Sequence, residues 1–96
     1  MPITKQYLKS KPECKVTFTV PAVEADKVEV AGDFNSWNLS ELKKYKNGNF
    51  KAQFNVPVDQ TYQFRYVIDG KWMNEEEADG YQWSDFAAAD NSLLKV

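Results

Sequence analysis

Four runs of alternating apolar and polar residues restrict the fold of this 96-residue chain more than any other feature. They occupy residues 15–20, 28–30, 50–56 and 62–68. Alternation with a period of two places the apolar side chains on one face of a strand. The dipeptides Asn47-Gly48 and Asp69-Gly70 suit the tight turns of β-hairpins, because both tolerate positive φ. The sequence therefore predicts an all-β fold, a single-domain antiparallel β-sandwich.

Two of these strands lead into a Gly-containing polar turn and then a tryptophan. Trp37 follows the strand that begins at Val28, and Trp72 follows the strand that begins at Tyr62. Both indoles lie where the alternation leaves the core, and large exposed aromatic side chains are uncommon unless something binds them. Two such rings predict a flat apolar platform, which suits a sugar ring. The alternative is packing, with Trp37 closing one end of the sandwich and Trp72 covering its own hairpin.

Arg65 would add polar chemistry to this platform. Alternation predicts that Tyr62, Phe64 and Tyr66 point inward and that Gln63, Arg65 and Val67 point outward. An outward Arg65 would lie near Trp72 on the same hairpin, and a guanidinium offers several donors for vicinal hydroxyls. Alternatively, Arg65 pairs with a surface carboxylate such as Glu29, which would contribute little to stability.

The composition argues against an enzyme, a nucleic-acid-binding protein and a membrane protein. The chain has no histidine, the commonest general base, and its one cysteine, Cys14, has no His partner. No metal or cofactor is predicted, because neither a calcium-loop spacing nor a Gly-rich phosphate loop occurs. A net charge of −2 does not suit binding to a polyanion. Without an apolar run of ~18 residues or an apolar signal region, the expected location is cytoplasmic.

Residues 74–90 are predicted to form a long acidic loop. The acidic run 75–77 is interpreted as a solvated face, because desolvating several like charges is costly. Trp83 is expected to pin this loop to the core; the alternative is that it extends the sugar platform. The predicted division of the chain is an N-terminal arm or edge strand at residues 1–13, followed by the β-sandwich domain at residues 14–96.

Three motifs occur in a fixed order along the chain. They are VAGDFNSW at 30–37, YQFRYVIDGKW at 62–72 and NSLLKV at 91–96. From about Cys14 to Val96 the chain resembles the glycogen- and starch-binding modules of the family-48 carbohydrate-binding class. The resemblance implies an immunoglobulin-like sandwich of the early-set type that binds α-1,4-linked glucans without catalysis.

The resemblance also implies roles for four residues. Trp37 and Trp72 match the positions that stack on glucose units, while Arg65 and Asn91 match positions that bond to sugar hydroxyls. The stretch Phe86-Ala87-Ala88-Ala89 departs from the pattern of the kinase module. Its small side chains cannot repeat the contacts that a Leu and a Thr make there with sugar, so weaker affinity is expected.

A second class of function remains open, a protein-interaction module that docks on a carbohydrate-active enzyme or a kinase-like partner. Members of the class usually lie beside a catalytic domain or within a kinase complex, whereas this chain begins with its own Met1 and ends at its last strand. We therefore expect either a free-standing module or a partner enzyme on a separate polypeptide. The presence of both tryptophans with Arg65 and Asn91 favours sugar binding, because protein docking alone would not require them.

Overall fold

The computed structural model describes residues 3–96, so the first two residues of the predicted N-terminal arm lie outside the described residues. Within that range the chain forms ten strands and one 3₁₀ turn. In chain order these are β1 (Ile3–Tyr7), β2 (Glu13–Pro21), β3 (Val28–Gly32), the 3₁₀ turn (Asp33–Asn35), β4 (Ser40–Glu41), β5 (Lys43–Lys44), β6 (Asn49–Pro57), β7 (Thr61–Ile68), β8 (Lys71–Met73), β9 (Gly80–Ser84) and β10 (Ala89–Lys95). The all-β prediction is confirmed. Residues 3–96 contain no helix of the length and apolarity that crossing a membrane requires.

The strands form two antiparallel sheets that pack face to face, which confirms the predicted β-sandwich. The first sheet has the order β1-β2-β6-β5, and the second has the order β4-β3-β7-β10-β9 with β8 paired to β7. Strand β7 lies in the middle of the second sheet, between β3 and β10. The outward face of β7 is therefore flanked by outward side chains of both neighbours.

An aromatic cluster fills the core between the sheets. Phe18, Phe64 and Tyr66 are fully buried. The ring of Phe18 lies 5.2 Å from that of Phe64. Phe34, in the 3₁₀ turn, is partly buried and stacks on Phe18 at 5.4 Å, as expected of a core residue. Because such ring pairs stabilise beyond the area that they bury, the core anchors the turn that leads to Trp37.

The segment 74–90 is not the long loop that the sequence predicts. It contains β9, which pairs with β10 so that Ser84 lies opposite Ala89. Trp83, on β9, is 56% exposed and does not pin the segment to the core. Both predictions were wrong because β9 is an edge strand with mostly exposed side chains. This strand forms through backbone hydrogen bonds to β10, and such bonds do not require alternating apolar and polar residues in the sequence.

Glu75 is fully buried, so the prediction of a solvated acidic face is wrong at this position. Its carboxylate accepts a hydrogen bond from the Tyr66 hydroxyl at 2.9 Å. Its backbone N–H donates to the Ser92 hydroxyl at 2.8 Å. Glu76 and Glu77 are exposed, as predicted. A buried carboxylate is tolerated where hydrogen bonds compensate for its lost hydration, and the sequence alone does not show such partners.

Candidate functional site

The turn after β3 places Trp37 at the surface. Asn35 shapes this turn, as the sequence suggests: its Oδ1 accepts from the Gly32 backbone N–H at 2.9 Å, and its Nδ2 donates to the Val30 carbonyl at 3.2 Å. The backbone N–H of Trp37 donates a hydrogen bond to the Gly32 carbonyl oxygen at 2.9 Å. Ser36 and Trp37 both adopt positive φ, 55° and 59°. Such backbone is uncommon outside glycine and asparagine, so the turn holds Trp37 in a conformation that costs free energy.

Asp33 sets the orientation of the Trp37 indole ring. One carboxylate oxygen of Asp33 accepts the indole Nε1–H at 2.9 Å, and the other accepts the Gln63 backbone N–H at 2.8 Å. Asp33 thereby links the turn after β3 to the central strand β7. Trp37 remains 37% exposed, so its ring is oriented by the carboxylate while part of its surface stays accessible.

The β7–β8 hairpin places Trp72 on the same sheet. Asp69 and Gly70 have φ values of 49° and 84°, the positive pair that a tight hairpin turn needs. The Asp69 carboxylate accepts the backbone N–H groups of Asp26 and Lys27, each at 2.9 Å, and so ties the turn to the chain before β3. Trp72 is 48% exposed, so about half of its surface stays accessible while the rest packs on the hairpin.

Arg65 lies beside Trp72, as the alternation of β7 predicts. The guanidinium carbon is 5.4 Å from the centre of the indole ring, within the range of a cation–π contact. Its Nε is buried and has no hydrogen-bond partner within residues 3–96. Arg65 forms no ion pair in that range either, so the alternative pairing with Glu29 does not occur there. A carboxylate oxygen of Glu29 instead lies 3.9 Å from the Lys27 Nζ.

Val67 shares the outward face of β7 but differs from the prediction in its exposure. It is only 5% exposed, and it lies between Glu29 of β3 and Trp72 of β8 in the register of the sheet. Neighbouring side chains on both strands shield it from water. Trp72 thus lies opposite a buried apolar residue, which gives its ring an apolar support.

Asn91 supplies a second polar group on this face. It lies within β10 and is 5% exposed. Its Nδ2 donates to the Gln63 side-chain oxygen at 3.0 Å. Its Oδ1 is buried and has no hydrogen-bond partner in the described part of the chain. Buried polar atoms are usually paired, and each one left unpaired costs free energy.

One groove of about 890 Å³ brings all four sequence-predicted residues together. The remaining residues that line it are Asp33, Gln63, Ser84, Phe86, Ala87 and Ala89. Sequence reasoning missed Asp33 and Gln63 as members of this site. The alternation of β7 carried a signal for Gln63, since it placed this residue on the same face as Arg65.

The groove combines apolar planes with two residues that each carry a buried polar atom without a hydrogen-bond partner in residues 3–96. The two indoles offer flat surfaces, the Arg65 Nε–H is a donor and the Asn91 Oδ1 is an acceptor. The described residues contain no group of three or more Cys, Asp or Glu side chains arranged to hold a metal ion. This arrangement suits a neutral ligand with apolar faces and hydroxyl rims.

Residues 14–96 match the family model of the glycogen recognition site of AMP-activated protein kinase. The chain belongs to this family. The glycogen-recognition family is a family of carbohydrate-binding modules, which agrees with the stacking planes and polar groups of the groove. No similar sequence was found among curated proteins.

Among solved structures, the chain is similar to a pullulanase from Bacillus acidopullulyticus, with a TM-score of 0.61 and 17% sequence identity. The match covers 99% of this chain but 12% of the pullulanase chain. At this identity the likeness concerns the fold alone. It shows that a sandwich of this fold also occurs as a small part of a much longer chain.

Proposed function

We propose that the groove binds α-1,4-linked glucan, such as glycogen, starch or a maltooligosaccharide, without catalysing its cleavage. The observation that carries this proposal is the convergence of two half-exposed indoles with an unpaired buried donor and an unpaired buried acceptor in one groove. Membership of the glycogen-recognition family supports the ligand class.

The indoles of Trp37 and Trp72 stack on glucose rings. The apolar C–H face of a pyranose covers an indole, and an oriented ring binds at low entropic cost because tryptophan has only two χ angles. By analogy with base–aromatic stacking, each contact contributes ~1–3 kcal/mol. Two such contacts supply about 2–6 kcal/mol together, so after the costs of association they give a Kd of about 1 mM or weaker unless polar contacts add to them.

Arg65 and Asn91 bond to the hydroxyl rim of the sugar. In the free protein, the Arg65 Nε–H and the Asn91 Oδ1 are desolvated without partners in residues 3–96. A sugar hydroxyl both donates and accepts, so vicinal hydroxyls satisfy both atoms once the two side chains rotate to expose them. Because the desolvation cost is already present before binding, these contacts strengthen the complex more than contacts from solvated groups would.

The loop after β9 modifies one end of the groove. Ala87 of this loop and Ala89, the first residue of β10, line it with small side chains, which leaves the sugar fewer contacts there and agrees with the expectation of weaker affinity. Phe86 also lines the groove and is fully exposed.

An NMR titration of the indole N–H signals tests the proposal. Maltoheptaose or β-cyclodextrin should shift the signals of Trp37 and Trp72 in a saturable manner, whereas cellohexaose, which has β-1,4 linkages, should shift them far less. Unmoved signals at millimolar maltoheptaose would overturn it. Release of reducing sugar by the pure chain would overturn the non-catalytic part.

We also propose a glycan-metabolising enzyme as partner and a cytoplasmic location. The similar pullulanase, an enzyme by its name, carries this fold as 12% of its chain, which supports the association with a catalytic unit. The free, buried thiol of Cys14 suits a reducing compartment. Affinity purification should recover one stoichiometric enzyme. Recovery of a partner without glycan-modifying activity, indifferent to added glycogen, would favour the protein-docking alternative.

A further inference from the structure

A third tryptophan, Trp83, is exposed on β9 outside the groove. It is 56% exposed, more than Trp37 or Trp72. Its indole Nε1–H donates to the Asp85 carboxylate at 2.7 Å. This repeats the arrangement at Trp37, whose indole N–H donates to Asp33 at 2.9 Å. In both cases a carboxylate orients the indole while much of the ring remains accessible.

Trp83 faces away from the groove. Side chains alternate along a strand, and its neighbour Ser84 lines the groove. On β10, Trp83 lies opposite Asp90, whereas the groove-lining residues Ala89 and Asn91 lie on either side of that position. The face opposite the groove is the one that packs on the first sheet. Strand β9 lies at the edge of the second sheet. Trp83 therefore lies at the open side of the sandwich.

Tyr81 extends this surface along the strand. It lies two residues before Trp83, on the same face and about 6.6 Å away along the backbone. Its ring is 49% exposed, and its hydroxyl donates to the backbone carbonyl of Glu75. Trp83 and Tyr81 thus form a strip of two aromatic rings, each held by a hydrogen bond at its polar end.

The charges around this strip disfavour an anionic ligand. Asp90 lies directly opposite Trp83, where side chains are about 5 Å apart at Cβ, and Asp85 holds the indole. Two carboxylates beside an aromatic plane repel anionic ligands. They accept hydrogen bonds from hydroxyls, as a sugar rim requires.

We infer that the Trp83–Tyr81 strip is a second binding surface for neutral glucan chains, separate from the groove. The inference takes its ligand class from the proposed function. A module with glucan-binding surfaces on two faces of one sheet binds two chains, or two branches of one polymer. Its apparent affinity for glycogen then exceeds its affinity for a short oligosaccharide, because the second contact forms within an already bound complex.

The chain contains three tryptophans, so a titration of its indole N–H signals reads both surfaces at once. Each signal is assigned from a single Trp→Phe variant. With maltoheptaose, the Trp83 signal should shift along its own saturation curve. The shift should persist in the double variant Trp37→Ala, Trp72→Ala, whose fold is checked by the dispersion of the remaining signals.

The possible outcomes separate this inference from the proposed function. If Trp37 and Trp72 shift while Trp83 does not, or if the Trp83 shift disappears in the double variant, the second surface is disproved and the groove stands. If Trp83 alone shifts, the second surface stands and the groove fails. A Trp83 signal that moves with protein concentration alone would assign the strip to contact between two copies of the chain and overturn the inference.

Glycogen retention in affinity electrophoresis provides a second measurement. Trp83→Ala should weaken apparent binding to glycogen about tenfold, with a much smaller effect on maltoheptaose binding in the groove. Tyr45→Ala is a matched control, because Tyr45 is 44% exposed and lies in the turn after β5, in the other sheet. Equal retention of the Trp83→Ala and Tyr45→Ala variants would contradict the inference.

Discussion

Asp33 accepts the indole N–H of Trp37 at 2.9 Å, and this bond sets the orientation of one of the two rings in the groove. The second oxygen of the same carboxylate accepts the backbone N–H of Gln63. A single side chain therefore connects the turn that carries Trp37 to the strand that carries Arg65. The relative placement of stacking plane and polar contacts depends on it.

Changing Asp33 to Ala should weaken maltoheptaose binding about three- to tenfold, because the Trp37 ring loses its orientation. The free energy of unfolding should fall by only about 1 kcal/mol, since the carboxylate is exposed. Calorimetric titration and urea denaturation measure the two effects. Asp33→Asn keeps one acceptor and should be intermediate; binding unchanged in Asp33→Ala would contradict the role of this bond.

Changing Arg65 to Met should weaken sugar binding about tenfold with little loss of stability. The cation–π contact with Trp72 is worth about 0.5–1 kcal/mol at a surface, and removing the unpaired Nε relieves a desolvation cost. Arg65→Lys keeps the charge without the forked donors and should be intermediate. Calorimetry with maltoheptaose checks the order. If Arg65→Lys bound as well as the unmodified protein, charge rather than the donor geometry would be responsible.

Changing Asn91 to Ala should lower affinity about tenfold, because its unpaired Oδ1 is lost as an acceptor. Gln63→Met provides the matched comparison, since it removes the partner of Nδ2 and leaves Oδ1 in place. We expect a smaller loss of affinity for Gln63→Met in the same calorimetric titration. A larger loss for Gln63→Met would assign the main polar contact to Gln63.

The protein should lose stability as the pH rises above about 10. Burial, followed by the charge and hydrogen bond of Glu75, raises the pKa of the Tyr66 hydroxyl far above its ordinary value. Tyr66 thus remains protonated in the folded state while it ionises in the unfolded chain. The unfolded state then binds fewer protons, so the free energy of unfolding decreases with increasing pH.

Urea denaturation between about pH 8 and about pH 11, which spans the ordinary tyrosine pKa, should show this decrease in the free energy of unfolding. Tyr66→Phe should reduce its slope and lower stability at neutral pH by about 1–3 kcal/mol, since the Glu75 carboxylate loses a hydrogen bond. Tyr45→Phe, at an exposed position, is the control and should change neither quantity. An unchanged slope in Tyr66→Phe would contradict the assignment.

The strands with one buried face were predictable, and so was much of the groove. Alternation along β7 placed Arg65 outward and Phe64 inward, and the Asp69-Gly70 turn predicted the hairpin that carries Trp72. These features depend on residues that are close in the chain. Asn91 entered through the resemblance and not through any local pattern.

The segment after β8 could not be predicted in the same way. Burial of Glu75 depends on Tyr66 and Ser92, which are 9 and 17 residues away along the chain. Strand β9 depends on its pairing with β10. Neither partner is visible in the local alternation, so the acidic composition suggested a solvated loop.

The sequence by itself determined the strands with one buried face, the two turns that lead to Trp37 and Trp72, and the family of the chain. Only the tertiary structure decided that Asp33 orients Trp37, that the Arg65 Nε and the Asn91 Oδ1 are buried without partners in residues 3–96, and that Trp83 faces away from the groove. The physical reason is the range of the interactions. Periodicity and turn preference act between neighbours in the chain, whereas burial and hydrogen-bond pairing arise between strands that meet only in the folded sandwich.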